Sequence, residues 1–121
     1  MPDSTTTLAD LRAAVAAFVA ERDWAQFHNA KDLAVSISIE AAELLEEFQW
    51  YDADQVAAAR TDPEARERIR FELADILVYC LSLSNALDLD VSDAVRDKLA
   101  LASQKYPVRE YRGRARKPGQ A

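Results

Sequence analysis

The sequence predicts an all-α protein, a short bundle of about four main helices. Only two glycines and four prolines occur in 121 residues, and such a composition disfavours turn-rich β folds and glycine-rich phosphate loops. Half of the residues are hydrophobic and 30% are charged, which is typical of a globular domain and unlike a disordered chain. From Leu8 onward, apolar residues recur at helical spacing.

Capping signals place the first two helices. Thr7 and Asp10 resemble a capping box and begin a helix over about residues 8–22. Residues 23–31 break the helical period and are predicted to form a loop. A second helix is expected over about residues 32–51, followed by one or two turns after Asp54.

The remaining helices have equally clear boundaries. Asp62 followed by Pro63 starts a third helix, because a cap residue precedes a proline at the first helical position; it should run to about residue 87. Asp90 with Asp93 caps a fourth helix, which must end before Pro107. We predict one domain over residues 1–108 and a basic, flexible tail over 109–121.

Composition also restricts location and partners. The single cysteine, Cys80, excludes an internal disulfide framework and a multi-cysteine zinc site. The first residues show no signal peptide, and no apolar run is long enough to span a bilayer, so we expect a cytoplasmic protein without a membrane partner. The net charge is −6 although six basic residues follow Gln104. The acidic body disfavours nucleic-acid binding.

Carboxylates in the second predicted helix occupy an unusual position. Glu40, Glu43 and Glu47 fall on one line of that helix, and apolar residues border this line on both sides. The third helix contains the long apolar run LADILVYCLSLSNAL, in which Asp75 is the only charged residue. Glu72 precedes Asp75 by three positions, so both point to one side. Ionised carboxylates in such surroundings are costly unless they are paired or bind a metal.

The pairs Glu40-x-x-Glu43 and Glu72-x-x-Asp75 therefore predict a metal site. Salt-bridged or solvated surface is the alternative for any one such pair. All-oxygen ligands favour Mg²⁺, with Mn²⁺ as a substitute, whereas zinc prefers nitrogen or sulfur and a ferritin-like di-iron site needs Glu-x-x-His pairs. Magnesium held by carboxylates usually takes further ligands from phosphate, which indicates a phosphate-ester or anhydride substrate.

Aromatic residues lie near this predicted site in the sequence. Trp24, Phe27 and His28 share the loop after the first helix, and Trp50 ends the second. They either cover the end of the bundle as core or form a slot in which a nucleobase stacks. A stacking slot beside a magnesium cluster would be a nucleotide site.

These motifs resemble the MazG-like all-α nucleotide pyrophosphohydrolases, and within them the dCTP pyrophosphatase branch. The family signature E-x-x-E, a spacer and E-x-x-D is present with a spacer of 28 residues. Blocks typical of the branch follow in order, and the resemblance extends over about residues 8–117: ERDWAQFH at 21–28, EAAELLEEFQW at 40–50, ELADILVY at 72–79 and KYPV at 105–108.

The resemblance implies Mg²⁺-dependent hydrolysis of a nucleoside triphosphate, dCTP or a 5-modified dCTP, to the monophosphate and pyrophosphate, as nucleotide-pool house-cleaning. It implies that Glu40, Glu43, Glu72 and Asp75 hold the metal. Residues Trp24 through His28, Trp50 and Tyr79 would contact the nucleotide. It further implies a homodimer or homotetramer with sites at the subunit interface.

We further expect Glu43 to act as general base, with Glu47 supporting it. Lys31 and Lys98 are expected to bind the triphosphate, although a solvated surface role is the alternative for each.

Three functions stay open at this point. At a position in the first helix where cytosine-specific relatives carry a histidine, this chain has Val15, and in the fourth helix Ala102 replaces a common asparagine. A broad-specificity or other-base triphosphate pyrophosphatase is therefore an alternative. The other is a non-enzymatic helical module that binds metal or nucleotide.

Overall fold

The computed structural model describes residues 1–116 and contains six α-helices and a 3₁₀ turn in that range. The elements in chain order are α1 (Leu8–Glu21), the 3₁₀ turn (Ala25–Phe27), α2 (Ala30–Phe48), α3 (Ala53–Ala58), α4 (Pro63–Ala86), α5 (Val91–Lys105) and α6 (Val108–Tyr111). The all-α prediction is confirmed. Within the described range, none of the helices combines the length and apolar character needed to cross a bilayer.

The predicted caps fix the helix starts. Thr7 and Asp10 form a complete capping box at α1, and the Asp62 side chain accepts a hydrogen bond from the Glu64 amide at the start of α4. α2 begins two residues earlier than expected because the Asn29 side chain caps it by accepting from the Asp32 amide. An asparagine at this position satisfies an amide that would otherwise lack a partner.

The chain divides into two compact units, Met1–Asp88 and Leu89–Ala121. In the first unit, α2 and α1 each pack against α4. Arg12 of α1 and Asn85 of α4 join their helices: the Arg12 Nε donates to Asn85 Oδ1 over 3.1 Å, and Asn85 Nδ2 donates to the Arg12 carbonyl over 3.1 Å.

The second unit holds α5 and α6. The Asp90 side chain caps α5 as predicted, and α5 ends at Lys105, before Pro107. The rings of Tyr106 and Tyr111 meet edge to face with centroids 5.2 Å apart. The short helix α6 lies where the tail was expected to begin, and residues 117–121 of that expected tail lie outside the described residues.

The buried apolar core of the described chain is small. Leu33, Ala65 and Leu81 are its buried hydrophobic residues, together with the buried hydroxyl residues Ser82 and Ser84. Many large apolar side chains on the long helices stay exposed instead. A single copy of this chain therefore covers only part of its own apolar surface.

Candidate metal centre and substrate cavity

Four carboxylates from two helices converge on one point. Glu40 and Glu43 come from α2, Glu72 and Asp75 come from α4, and one oxygen of each lies within 4.8 Å of the others. Each pair is separated by three residues, so both members lie on the same face of their helix. The packing of α2 against α4 brings the two pairs together.

The cluster is not neutralised by neighbouring side chains. The ion pairs formed by residues 1–116 leave all four carboxylates out. Glu40 Oε2 and Glu72 Oε2 are buried and accept no hydrogen bond. Buried carboxylate oxygens without partners are unfavourable, and a positive charge at this point would stabilise them.

The pKa values report the same deficit of positive charge. Burial, a hydrogen bond with Glu43 and the negative charges of Glu43, Asp75 and Glu72 raise the pKa of Glu40 from 4.5 to about 7. Burial, followed by the charges of Glu43, Asp75 and Glu47, also raises the pKa of Glu72. A divalent cation among these groups would favour their ionised forms.

The donor set fits a hard cation. All four ligand groups are carboxylates, and oxygen ligands are those that Mg²⁺ and Mn²⁺ prefer. The two buried oxygens that lack hydrogen-bond partners are available as metal ligands.

A cavity of about 530 Å³ adjoins the cluster and has the size of a small-molecule site. Three of the carboxylates, Glu40, Glu43 and Asp75, form part of its wall. The rest of the wall is mostly apolar and aromatic, with three polar side chains among its members: Ala14, Val15, Phe18, Val19, Trp24, His28, Val78, Tyr79 and Ser82.

Helix geometry explains how α4 contributes to this wall. Tyr79 and Ser82 follow Asp75 by four and seven residues, which places all three on one face of the helix. Trp24 and His28 flank the 3₁₀ turn on either side. The structure thus brings three of the predicted substrate residues, Trp24, His28 and Tyr79, to the same cavity as the carboxylates.

Other predicted substrate residues lie elsewhere. Phe27 is 63% exposed and Trp50 is 85% exposed, and neither lines the cavity. Lys31 is exposed in the first turn of α2 and is also outside the wall. Lys98 belongs to α5 in the second unit. For these four residues, a role in substrate binding stays a prediction.

Glu47 has a different environment from the four clustered carboxylates. Arg68 of α4 donates from Nε to Glu47 Oε2 over 3.1 Å and from Nη2 to the Tyr51 hydroxyl over 3.4 Å. Glu47 is therefore ion-paired, and it acts on the cluster through its charge on Glu72. This position is compatible with a supporting role and unsuited to direct contact with a substrate in the cavity.

Sequence reasoning did not assign the cavity wall formed by α1. Ala14, Phe18 and Val19 belong to the apolar residues that recur at helical spacing in α1, and Val15 is the one position of this wall that the sequence linked to the nucleotide. The sequence signal was present, since residues 14, 15, 18 and 19 share one helix face. Its apolar character alone does not distinguish a core face from a cavity wall.

These features define a helical protein in which an acidic cluster that could hold a cation borders a cavity large enough for a nucleotide. Comparison with known proteins agrees. The model of the MazG-like family matches residues 35–120, and the chain belongs to this family.

Individual relatives extend the comparison. The chain is 38% identical over 109 residues to dCTP pyrophosphatase 1 of Mus musculus and 35% identical over 111 residues to that of Homo sapiens, covering 90% and 92% of this chain. It spans 64% and 65% of the length of these two relatives. A solved structure of a pyrophosphatase from Archaeoglobus fulgidus matches with a TM-score of 0.75 and 34% identity, over 88% of this chain and 98% of that one.

Proposed function

We propose that the protein hydrolyses a nucleoside triphosphate, dCTP or a 5-modified dCTP, to the monophosphate and pyrophosphate with Mg²⁺. The observation that carries the proposal is a cluster of four unneutralised carboxylates, three of which line a cavity that Trp24 and Tyr79 also line. The names of the mammalian relatives support the choice of dCTP. The location that we propose is the cytoplasm.

Glu40, Glu43, Glu72 and Asp75 would hold the metal, with Mn²⁺ as a possible substitute. When bound, the ion supplies neutralisation of phosphate charge and lowers the pKa of a coordinated water. The carboxylate oxygens would provide the negative charge that attracts the ion, and the two buried oxygens that lack hydrogen-bond partners would gain a cation as their partner.

The residues of the chain then position and deprotonate the attacking water. Glu43 accepts a proton from the water as its oxygen attacks the α-phosphorus, and the bond from that phosphorus to the leaving pyrophosphate breaks. Glu43 suits this role because it lies both in the cluster and on the cavity wall. Glu47, held by Arg68, supports the cluster from outside the cavity.

The base would stack in the aromatic part of the cavity. Trp24 and Tyr79 offer flat faces, and His28 adds a hydrogen-bonding edge. Phe27 would contact the nucleotide and Lys31 the triphosphate, and for Lys98 a role in binding the triphosphate stays a prediction.

Trp50 would reach the base from a second copy of the chain. It is 85% exposed and lies outside the cavity of its own chain. Trp50 lies beyond α2, which ends at Phe48 and not near Trp50 as predicted. Leu45 of α2 is 66% exposed, so this helix presents apolar surface that a partner would cover. The homodimer or homotetramer implied by the family resemblance would supply that partner.

Mixed oligomers test this arrangement. Glu72→Gln and Trp50→Ala chains with different affinity tags are co-expressed, and mixed oligomers are isolated through both tags. If Trp50 acts across the interface, a mixed dimer contains one intact site and regains about half of the wild-type activity per dimer. If Trp50 acts within its own chain, the mixed dimers stay as inactive as each variant alone.

Product analysis tests the reaction itself. The protein is incubated with canonical and 5-modified triphosphates in Mg²⁺ or EDTA, and monophosphate and pyrophosphate are quantified. Glu72→Gln should abolish turnover and preserve the helical circular dichroism, whereas Glu46→Gln, at an exposed position on α2, should stay active. Turnover by Glu72→Gln, or release of inorganic phosphate in place of pyrophosphate, would contradict the proposal.

A second candidate function is a triphosphate pyrophosphatase with broad or different base specificity. Val15 favours it, because this apolar side chain lines the cavity where cytosine-specific relatives are expected to carry a histidine. Preference for another base in the same panel would select this candidate. Binding of Mg²⁺ and a non-hydrolysable nucleotide without any turnover would indicate a binding module.

A further inference from the structure

The C-terminal end of α1 determines how the aromatic residues of the cavity wall are positioned. After α1, the Asp23 amide donates to the Ala20 carbonyl over 3.1 Å and the Trp24 amide donates to the Val19 carbonyl over 3.1 Å. This pair of bonds is the Schellman motif, in which the residue directly after the C-cap of the helix adopts a left-handed backbone conformation. Asp23 supplies it with φ of 52°.

The same motif includes an apolar contact between the residue after the left-handed position and the last turn of the helix. Here the contact joins Trp24 and Phe18, whose rings meet edge to face with centroids 5.7 Å apart. Both residues line the cavity. The helix terminus therefore orients two aromatic side chains of the proposed base site at once.

Contacts of two further residues, Gln26 and Arg22, fix this arrangement from outside the cavity. Gln26 Nε2 donates to the Asp23 carbonyl over 2.9 Å and to Asp23 Oδ2 over 3.2 Å. The Arg22 guanidinium carbon lies 3.8 Å from the centroid of the Phe18 ring, and Arg22 Nη1 donates to the Phe18 carbonyl over 3.0 Å. Neither Gln26 nor Arg22 lines the cavity.

We propose that Asp23 is a positioning residue for nucleotide recognition and that the hydrogen bonds from Gln26 hold Asp23 in place. Its left-handed backbone sets Trp24 against Phe18 before substrate arrives, so that the stacking surface is preorganised. This inference rests on the proposed function, because it assigns the base to the cavity that Trp24 lines. The effect should fall on substrate binding, since Asp23 belongs neither to the carboxylate cluster nor to the cavity wall.

Replacement of Asp23 tests the backbone requirement. Glycine adopts a positive φ freely, whereas a β-branched side chain strongly disfavours it. Asp23→Val should raise KM for the preferred triphosphate about tenfold while kcat changes less than about twofold, which reflects the cost of a left-handed backbone at this residue. Asp23→Gly should keep both constants near the wild-type values.

A direct readout of Trp24 separates positioning from catalysis. The full chain is labelled with 5-fluorotryptophan, and the ¹⁹F resonance of Trp24 is assigned with Trp24→Phe. Asp23→Val should shift or broaden this resonance, and Gln26→Ala should do so to a smaller extent. Gln26→Ala leaves the left-handed residue in place and provides the answer if Asp23→Val fails to fold.

Asp88 offers a matched control. It is also an aspartate with positive φ, 53°, directly after the end of a helix, and it lines none of the cavities described. Asp88→Val should lower stability as Asp23→Val does and leave the Trp24 resonance unchanged. Equal effects of the two valine variants on Trp24, or a wild-type resonance in Asp23→Val, would overturn the inference.

The two proposals can fail separately. Absence of pyrophosphate release by the wild-type protein on every triphosphate would overturn the proposed function, whereas the ¹⁹F spectra would still report whether Asp23 positions Trp24. A displaced Trp24 in Asp23→Val with an unchanged KM would show that the ring does not contribute to recognition and would overturn the role in nucleotide binding.

Discussion

Replacing Glu40 with glutamine should stabilise the metal-free protein at pH 8 while it removes a proposed metal ligand. Burial and the neighbouring carboxylates raise the pKa of Glu40 from 4.5 to about 7, so the folded state binds this proton more tightly than the unfolded state. Ionisation of Glu40 therefore destabilises the folded state. This destabilisation is absent below pH 4.5, grows as the pH rises toward 7, and is complete at pH 8. Glutamine removes the charge and nearly preserves the shape.

The size of the effect follows from the pKa. A shift of this extent corresponds to about 3 kcal/mol, and solvent screening at a partly exposed cluster reduces the expected gain to about 1–2 kcal/mol. Glu46→Gln is the control, because Glu46 lies exposed on the same helix and an exposed substitution should change stability by less than about 0.5 kcal/mol.

Urea unfolding in EDTA at fixed protein concentration measures the free energy of unfolding at pH 8 and pH 5. The free energy of unfolding of Glu40→Gln should exceed that of the wild type at pH 8, and the difference between the two should be smaller at pH 5. Saturating Mg²⁺ should reverse the order at pH 8, because a ligand at a hundred times its Kd stabilises the wild type by about 2.7 kcal/mol. A gain that is equal at both pH values, or no gain over Glu46→Gln, would refute the reasoning.

Three further predictions follow from the same structure. Calorimetry should show Mg²⁺ binding more tightly at pH 8 than at pH 6, because Glu40 must lose its proton to act as a ligand; affinity independent of pH would contradict this. Asn85→Ala should reduce the free energy of unfolding by about 1–2 kcal/mol, since it breaks both bonds to Arg12; chemical denaturation measures this, with Gln104→Ala, at an exposed position of α5, as the control. Val15→His adds a hydrogen-bonding group to the cavity wall and should shift kcat/KM toward cytosine triphosphates, whereas an unchanged substrate ranking would exclude position 15 as a determinant of specificity.

Local signals account for the parts of the fold that could be predicted. A capping box at Thr7 or the Asp62-Pro63 pair acts through bonds within one helix turn, and the sequence alone contains all the participants. The cap at Asn29 is an equally local signal, but the prediction did not use it, and α2 begins two residues before the predicted start. The helix after Pro107 lacks a side-chain cap, and correspondingly no sequence signal predicted it.

The candidate site shows where such prediction ends. Spacing determines which carboxylates share a helix face, and their apolar surroundings indicated a metal, so the cluster could be predicted before the fold was known. The pairing of Glu47 with Arg68 depends on the packing of α2 against α4. The helical spacing that places Glu47 in line with Glu40 and Glu43 therefore could not distinguish an ion-paired carboxylate from one in the cluster.

The distribution of apolar surface connects the site with assembly. Among the described residues, the buried apolar side chains are Leu33, Ala65 and Leu81. Apolar side chains of α2 and α4 therefore stay exposed, and exposed apolar patches of this kind mark interaction surfaces. The carboxylates lie on those same two helices. A partner that covers the exposed faces would also lower the local dielectric around the cluster, which strengthens the attraction between its carboxylates and a cation. We therefore expect metal affinity to depend on protein concentration, with dilution weakening both assembly and Mg²⁺ binding together.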